Sequence, residues 1–278
     1  MVVVNGQPTD LISVHDRGLQ YGDGLFETIA VIDGKAQHWE LHMLRLARGC
    51  ERLSIPFPGT EQLAADVDAL AIDHQRHALK IIVTRGASLR GYRPPDSPQT
   101  TRIVYSLPWP DYPATNAEHG VTVRLCSGRL SSNPQTAGIK HLNRLEQVLA
   151  RGEWGDPAIV EGLMLDNHGN LVEATMSNVF LVANGHLHTP DLSSCGVAGI
   201  MREIVLRECR SAAIAVHIRT ITWDDVWQAD ELFLTNSLIG LWPVRRLVTP
   251  QEQRDFAAPT LTRELRARLR DSLPDHVA

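Results

Sequence analysis

Lys140 lies in the run Ala137-Gly-Ile-Lys-His-Leu-Asn-Arg-Leu-Glu146, one of few lysines in a chain whose positive charge is mostly arginine. Gly138 precedes it and a helix is expected to open near Asn143, so a short connection would present its amine beside a helix start. An amine so placed suits Schiff-base chemistry, in which one atom makes a covalent link and then moves a proton. If the partner were pyridoxal phosphate, three further parts would be needed. A carboxylate must keep the ring nitrogen protonated. The phosphate needs backbone amides at a helix N-terminus, with an arginine or a hydroxyl. The lysine itself must be partly neutral, with a pKa well below the ordinary value of about 10.4.

The chain offers a candidate for each part. Glu173 stands in Glu173-Ala-Thr-Met-Ser-Asn178-Val-Phe180, on an expected strand. Val197-Ala-Gly-Ile-Met-Arg202 sets Gly199 just before an expected helix, so the amides of Ile200 and Met201 could hold an anion. Thr235-Asn236-Ser237, between two expected strands, could add donors, and Arg45 lies off the apolar stripe of its helix.

These residues need elements to hold them. Strands are expected over 2–4 and 25–32, the second closing on an Asp33-Gly34 turn that suggests a hairpin. Trp39, Met43, Leu46, Cys50 and Leu53 recur at helical spacing. Strands over 80–84 and 102–107 flank a loop over 85–95, and residues 108–113 contain three prolines, the best linker candidate. A strand over 121–126 leads to the Lys140 loop. Hairpins are expected from 162–166 with 171–175 and from 178–182 with 186–189. Ile200, Ile204 and Val205 give the next helix an apolar face, Thr222 suits a helix cap, and strands over 231–234 and 241–244 follow. Leu261, Leu265 and Leu269 mark a terminal amphipathic helix. The mixture implies two α/β or α+β domains with a cleft between them: a small one over 1–108, a linker over 109–118 and a larger one over 119–278.

Bulk properties narrow the class. The chain has 278 residues, is 43% hydrophobic and carries a formal charge of −5, enough for one large core or two modest ones. Mild acidity argues against an electrostatic grip on nucleic acid. Cys50, Cys126, Cys195 and Cys209 show neither CxxC nor Cys/His ligand spacing, so reduced thiols are expected and a metal site is not. The first residues do not read as a signal peptide, and no apolar run approaches the roughly 20 residues that span a bilayer. A cytoplasmic protein without membrane contact is expected.

Several of these stretches, taken together, resemble one family. Glu173-x-Thr175-x-x-Asn178-Val-Phe180, Leu187-x-Thr189 and Val197-x-Gly199-Ile200-x-Arg202 look like the signature of fold-type IV pyridoxal-phosphate enzymes, the branched-chain aminotransferase-like family. Asp16-Arg-Gly-Leu-Gln-Tyr-Gly-Asp-Gly24 and His42-x-x-Arg45-Leu46 match as well, so the likeness covers almost the whole chain. It implies a small α/β domain and a larger domain with a mixed, largely antiparallel, barrel-like sheet. By the resemblance, Lys140 would hold pyridoxal 5'-phosphate as a Schiff base and Glu173 would face the ring nitrogen. Arg45, Asn178, the amides of Ile200 and Met201, and Asn236 or Ser237 would complete the cofactor site. Position 201 departs from the threonine or serine often seen there, so only its amide could serve. Within the group, residues 138–149 and Arg85-Gly-x-x-x-Arg90-Gly-Tyr92 are most similar to the aminodeoxychorismate lyases. That likeness implies 4-amino-4-deoxychorismate as substrate, with Thr28, Arg90 and Tyr92 as its contacts, and a homodimer. A D-amino acid or branched-chain aminotransferase is the alternative.

Overall fold

Runs of apolar and β-branched residues in the first hundred positions pair into a six-stranded antiparallel sheet. In chain order the elements are β1 (Val2–Val4), β2 (Gln7–Pro8), α1 (Arg17–Tyr21), β3 (Gly24–Ile32), β4 (Lys35–Ala36), α2 (Trp39–Leu53), α3 (Thr60–Asp68), β5 (His77–Thr84) and β6 (Thr101–Pro108). The strand order is β2-β1-β6-β5-β3-β4. Side-chain alternation sends Leu25, Ile29, Leu79 and Ile81 onto Met43, Leu46 and Cys50 of α2, which form the core of this part. The opposite face of β3 and β5 carries Phe26, Thr28 and Lys80, all half-buried.

The computed structural model describes residues 1–73 and 75–274, which divide into two units. Ile139–Asn143 belongs with the first, Met1–Asp111, although it is distant in sequence. Its backbone pairs with β3: Phe26 N–H donates to the Lys140 carbonyl at 2.9 Å and Leu142 N–H to the Gly24 carbonyl at 3.0 Å. The helix expected near Asn143 therefore begins later, at Leu145, because the preceding backbone is committed to that pairing. Asn143 instead donates its side-chain amide to the Gly22 carbonyl at 3.1 Å.

The second unit comprises α4 (Thr115–His119), β7 (Val121–Leu130), α5 (Leu145–Arg151), β8 (Ile159–Asp166), β9 (Leu171–Ala174), β10 (Asn178–Ala183), β11 (His186–Pro190), α6 (Ile200–Ser211), β12 (Val216–Arg219), α7 (Trp223–Gln228), β13 (Glu231–Asn236), β14 (Gly240–Val248), β15 (Gln253–Asp255) and α8 (Leu261–Arg268). Its sheet runs β12-β11-β10-β13-β14-β7-β8-β9, with β15 added to β14. β7 is parallel to both β14 and β8, and β11 is parallel to β12, so the sheet is mixed but largely antiparallel. It curls until β9 touches β10 and β11, as the barrel-like expectation required. Phe180 and Phe233, paired across β10 and β13, stack at 4.9 Å. Among the described residues no helix is long and apolar enough to cross a membrane.

Candidate active site

In the second unit, a glutamate, an asparagine and a helix start are fastened together by backbone amides. Glu173 on β9 is buried, with Oε2 accepting from Val197 N–H at 2.8 Å and Oε1 from the Gln147 amide at 3.3 Å. A carboxylate on a strand is usually solvated. Here Gly196 turns the chain at φ +84° and brings the Val197 amide to it. Arg144, itself half-buried, adds a nearby positive charge.

Asn178 on β10 clamps the entry to α6. Its amide donates to the Val197 carbonyl at 2.8 Å and its Oδ1 accepts from Gly199 N–H at 3.0 Å. A Cβ on Gly199 would come within 2.1 Å of that Oδ1, so the close approach requires glycine there. Gly199 caps α6 without any side-chain bond, leaving the first amides of the helix, including those of Ile200 and Met201, without intrahelical partners. Such a terminus attracts anions. The Met201 side chain is fully buried. Arg202 ties the helix back to β11 by donating to the Pro190 carbonyl at 3.0 Å.

Two features of this unit could not be read from spacing. Glu161 on β8 is wholly buried and accepts from Thr175 Oγ1 and from Met176 N–H at 3.0 Å, fixing the turn between Glu173 and Asn178. Burial pushes its pKa up, with those donors opposing. Asn236 is committed to its own neighbourhood: its amide donates to Ser177 Oγ at 3.1 Å and its Oδ1 accepts from Leu238 and Ile239. It thereby fastens the β13–β14 turn that carries Ser237. Beside it, Thr235 Oγ1 is buried without a hydrogen-bond partner among the described residues.

The first unit holds Lys140, Thr28, Arg45, Arg90 and Tyr92. Lys140 Nζ lies 4.4 Å from the centroid of the Phe26 ring, on the segment paired with β3. A second lysine, absent from the sequence-based candidates, meets the same ring: Lys80 Nζ is 3.9 Å from its centroid and 3.3 Å from Thr28 Oγ1. Burial lowers the Lys80 pKa to about 8, against the pull of Glu27. Its position directly across from Thr28 in the β3–β5 register was the only clue, and that register is not visible in one strand alone.

Arg45 is neither solvated nor idle. Its Nε donates to Glu27 Oε1 at 2.9 Å, its Nη2 pairs with Oε2, and His42 Nδ1 lies 2.6 Å from the same carboxylate. Burial alone would raise the Glu27 pKa, but Arg45 and His42 hold it at about 2. Arg90 and Tyr92 are exposed on the loop after β5. Among the described residues no group of three His, Cys, Asp or Glu side chains is placed to hold a metal ion.

The chain was compared with known proteins. The model of the class IV aminotransferases matches residues 24–247. An aminodeoxychorismate lyase from Vibrio harveyi is 34% identical over 269 residues, which cover 97% of this chain and 99% of the relative. The chain belongs to the class IV aminotransferase family. A crystal structure of 4-amino-4-deoxychorismate lyase from Pseudomonas aeruginosa superimposes with a TM-score of 0.93 at 45% identity, covering 99% of this chain and all of that one (100%). A putative branched-chain-amino-acid aminotransferase from Methanocaldococcus jannaschii is 32% identical over 250 residues, covering 87% of this chain and 86% of its own length. The second unit's donor set fits what the family's cofactor needs. A buried carboxylate suits a protonated ring nitrogen, and a bare helix terminus cradled around Gly199 suits a phosphate.

Proposed function

We propose that this chain is an aminodeoxychorismate lyase, removing pyruvate from 4-amino-4-deoxychorismate to leave 4-aminobenzoate, a folate precursor. The observation that carries this reading is end-to-end likeness to lyases, at 34% and 45% identity. The enzyme is a carbon–oxygen lyase, and its cofactor is pyridoxal 5'-phosphate. When bound, that group supplies an electron sink for the pair left behind when a C–H bond breaks.

The chain's own residues do the rest. Lys140 would hold the cofactor covalently at rest, and its Nζ is the base that takes the proton from the amine-bearing carbon of the substrate. Glu173, which accepts from the Val197 amide, would stabilise a positive charge opposite it. The amides of Ile200 and Met201, with Arg45, Asn178 and Ser237, would hold and orient the phosphate, while Asn236 fastens the turn that presents Ser237. Thr28, Arg90 and Tyr92 meet the substrate's carboxylates, and Lys80 joins them as a cation beside Thr28. Loss of the enolpyruvyl oxygen leaves an aromatic ring, so the protein has mainly to position and ionise.

The protein works as a cytoplasmic homodimer in this reading. Val14 and Leu19 are large apolar side chains exposed on the first unit, the kind of surface a second copy covers. An aminotransferase reading draws on the 32% identical relative, which would use the same first proton transfer. A coupled assay separates the two. Chorismate, glutamine and the upstream synthase should yield 4-aminobenzoate with this enzyme. Product absent there, but present from branched-chain or D-amino acids with 2-oxoglutarate, would overturn the lyase assignment.

A further inference from the structure

The motif Asp16-Arg17 to Asp23-Gly24 contains no residue given a chemical role above, yet it holds one of the most buried arginines among the described residues. Arg17 is 3% exposed and all three guanidinium nitrogens are committed. Nε donates to Asp23 Oδ2 at 2.8 Å, Nη1 to Ser88 Oγ at 3.1 Å and to the Gly91 carbonyl at 2.9 Å, and Nη2 to the Tyr92 carbonyl at 3.0 Å. A buried cation is tolerated only when its donors are satisfied. Here one carboxylate and three neutral oxygens of a surface loop do so.

Besides these bonds, the tip of that loop meets the Tyr21 ring, whose centroid is 5.4 Å from that of Tyr92. Leu89 is 88% and Tyr92 85% exposed, so neither packs against a core. Its base is fixed: Arg17 N–H donates to the Gly86 carbonyl at 2.9 Å, Ser88 N–H to the His15 carbonyl at 3.1 Å, and Arg85 forks onto Asp23. Gly86, at φ +88°, lies so close to the Gln99 carbonyl that a Cβ would be 1.7 Å away. Beyond Ser88, the Arg17 guanidinium is the hydrogen-bonded tether, and its contacts at 88 and at 91–92 bracket Arg90.

We propose that Arg17 is a positioning residue for substrate recognition, holding residues 88–92 in one conformation so that Arg90 and Tyr92 meet an anionic substrate already ordered. The inference rests on the reading of Arg90 and Tyr92 as substrate contacts. Pre-ordering removes the entropic cost of fixing a loop on binding, so its loss falls on KM rather than on the chemical step. Lysine cannot replace the arginine, because an ammonium lacks the planar fork that reaches both carbonyls and Asp23 together.

The test uses the cofactor-loaded enzyme with R17K, S88A, R90A and the double variant R17K/R90A, each assayed with the aminodeoxychorismate-generating system. In R17K, amide hydrogen exchange over 86–93 should rise about tenfold or more, and KM about tenfold, with kcat within about threefold and the cofactor absorbance unchanged. S88A, which removes one tether at a surface position and leaves the fold intact, should move both readouts the same way by less. The KM of the double variant should exceed that of R90A by clearly less than the roughly tenfold that R17K causes alone, since only Tyr92 is left for the loop to position. Unchanged exchange in R17K and S88A, or a normal R17K KM beside a raised R90A KM, would overturn the proposal. An R90A enzyme with normal KM would instead sink the substrate reading beneath it, a result told apart because the R17K exchange does not depend on Arg90.

Discussion

The two units hold their functional side chains by different physics. In the first, buried guanidinium groups grip carboxylates: Arg45 on Glu27, and Arg17 with Arg85 on Asp23. In the second, backbone amides and neutral side chains grip carboxylates and an amide: Val197 on Glu173, Met176 on Glu161, Gly199 on Asn178. The first arrangement depends on the ionisation of both partners and fails when one is removed, because the other charge stays buried. The second depends on close backbone approach and fails when bulk is added.

The largest effect expected is on the chemistry itself. Lys140→Ala should abolish turnover and the absorbance of the covalently held cofactor, and borohydride should then label no peptide containing residue 140. Next comes the ion-pair side of the contrast. Glu27→Ala strands Arg45 in a site where its side chain is 12% exposed and should cost about 3–5 kcal/mol in denaturant unfolding. Little loss there would show that charge pairing is not what holds the first unit.

Gly199→Ala probes the other side. Its backbone, at φ −67° and ψ 147°, accepts any residue, so the penalty is the clash with Asn178 alone. Overpacking of about 1–3 kcal/mol should appear as roughly tenfold or greater weakening in a cofactor titration, with global stability less affected. Glu161→Gln keeps an acceptor for Thr175 and Met176, so cofactor affinity should change by less than in Gly199→Ala; a larger drop would show that Glu161 acts through its charge.

The smallest effects are in the pH dependence of stability, and their signs differ. Glu27 falls from an ordinary 4.5 to about 2, so its contribution is fully present above about pH 4.5 and is lost as the pH falls through 2. Lys80 falls from 10.5 to about 8, so the unfolded chain binds the extra proton between those values and stability rises as the pH climbs from 8 toward 10.5. Thermal unfolding of Glu27→Gln should lose the acid limb, and that of Lys80→Met the alkaline one, while Lys80→Met should unfold at a higher temperature than the parent at pH 7.

Much of the fold was legible locally. The helical stripe at 39, 43, 46, 50 and 53 is α2 from end to end, and the Asp33-Gly34 turn is a hairpin in which both residues take positive φ, 50° and 73°. Thr222 caps α7 in a full capping box with Asp225. Short elements without a repeating pattern escaped: α1 has five residues and β12 four, too few for a period to show. Of the candidate site, the sequence pointed to Glu173, Asn178 and the start of α6 because each sits in a compact string of residues. It could not point to Glu161, Lys80 or the Glu27–Arg45 pair, whose partners lie on other elements.

The order of apolar and polar residues along the chain determined the elements and the motif-borne parts of the site, because side-chain period and turn chemistry act over a few neighbours. Which charges are buried, which partners neutralise them, and that residues 139–143 join a strand more than a hundred positions earlier were decided only when the strands paired. Desolvation and close approach depend on neighbours in space, and neither can be summed from neighbours in sequence.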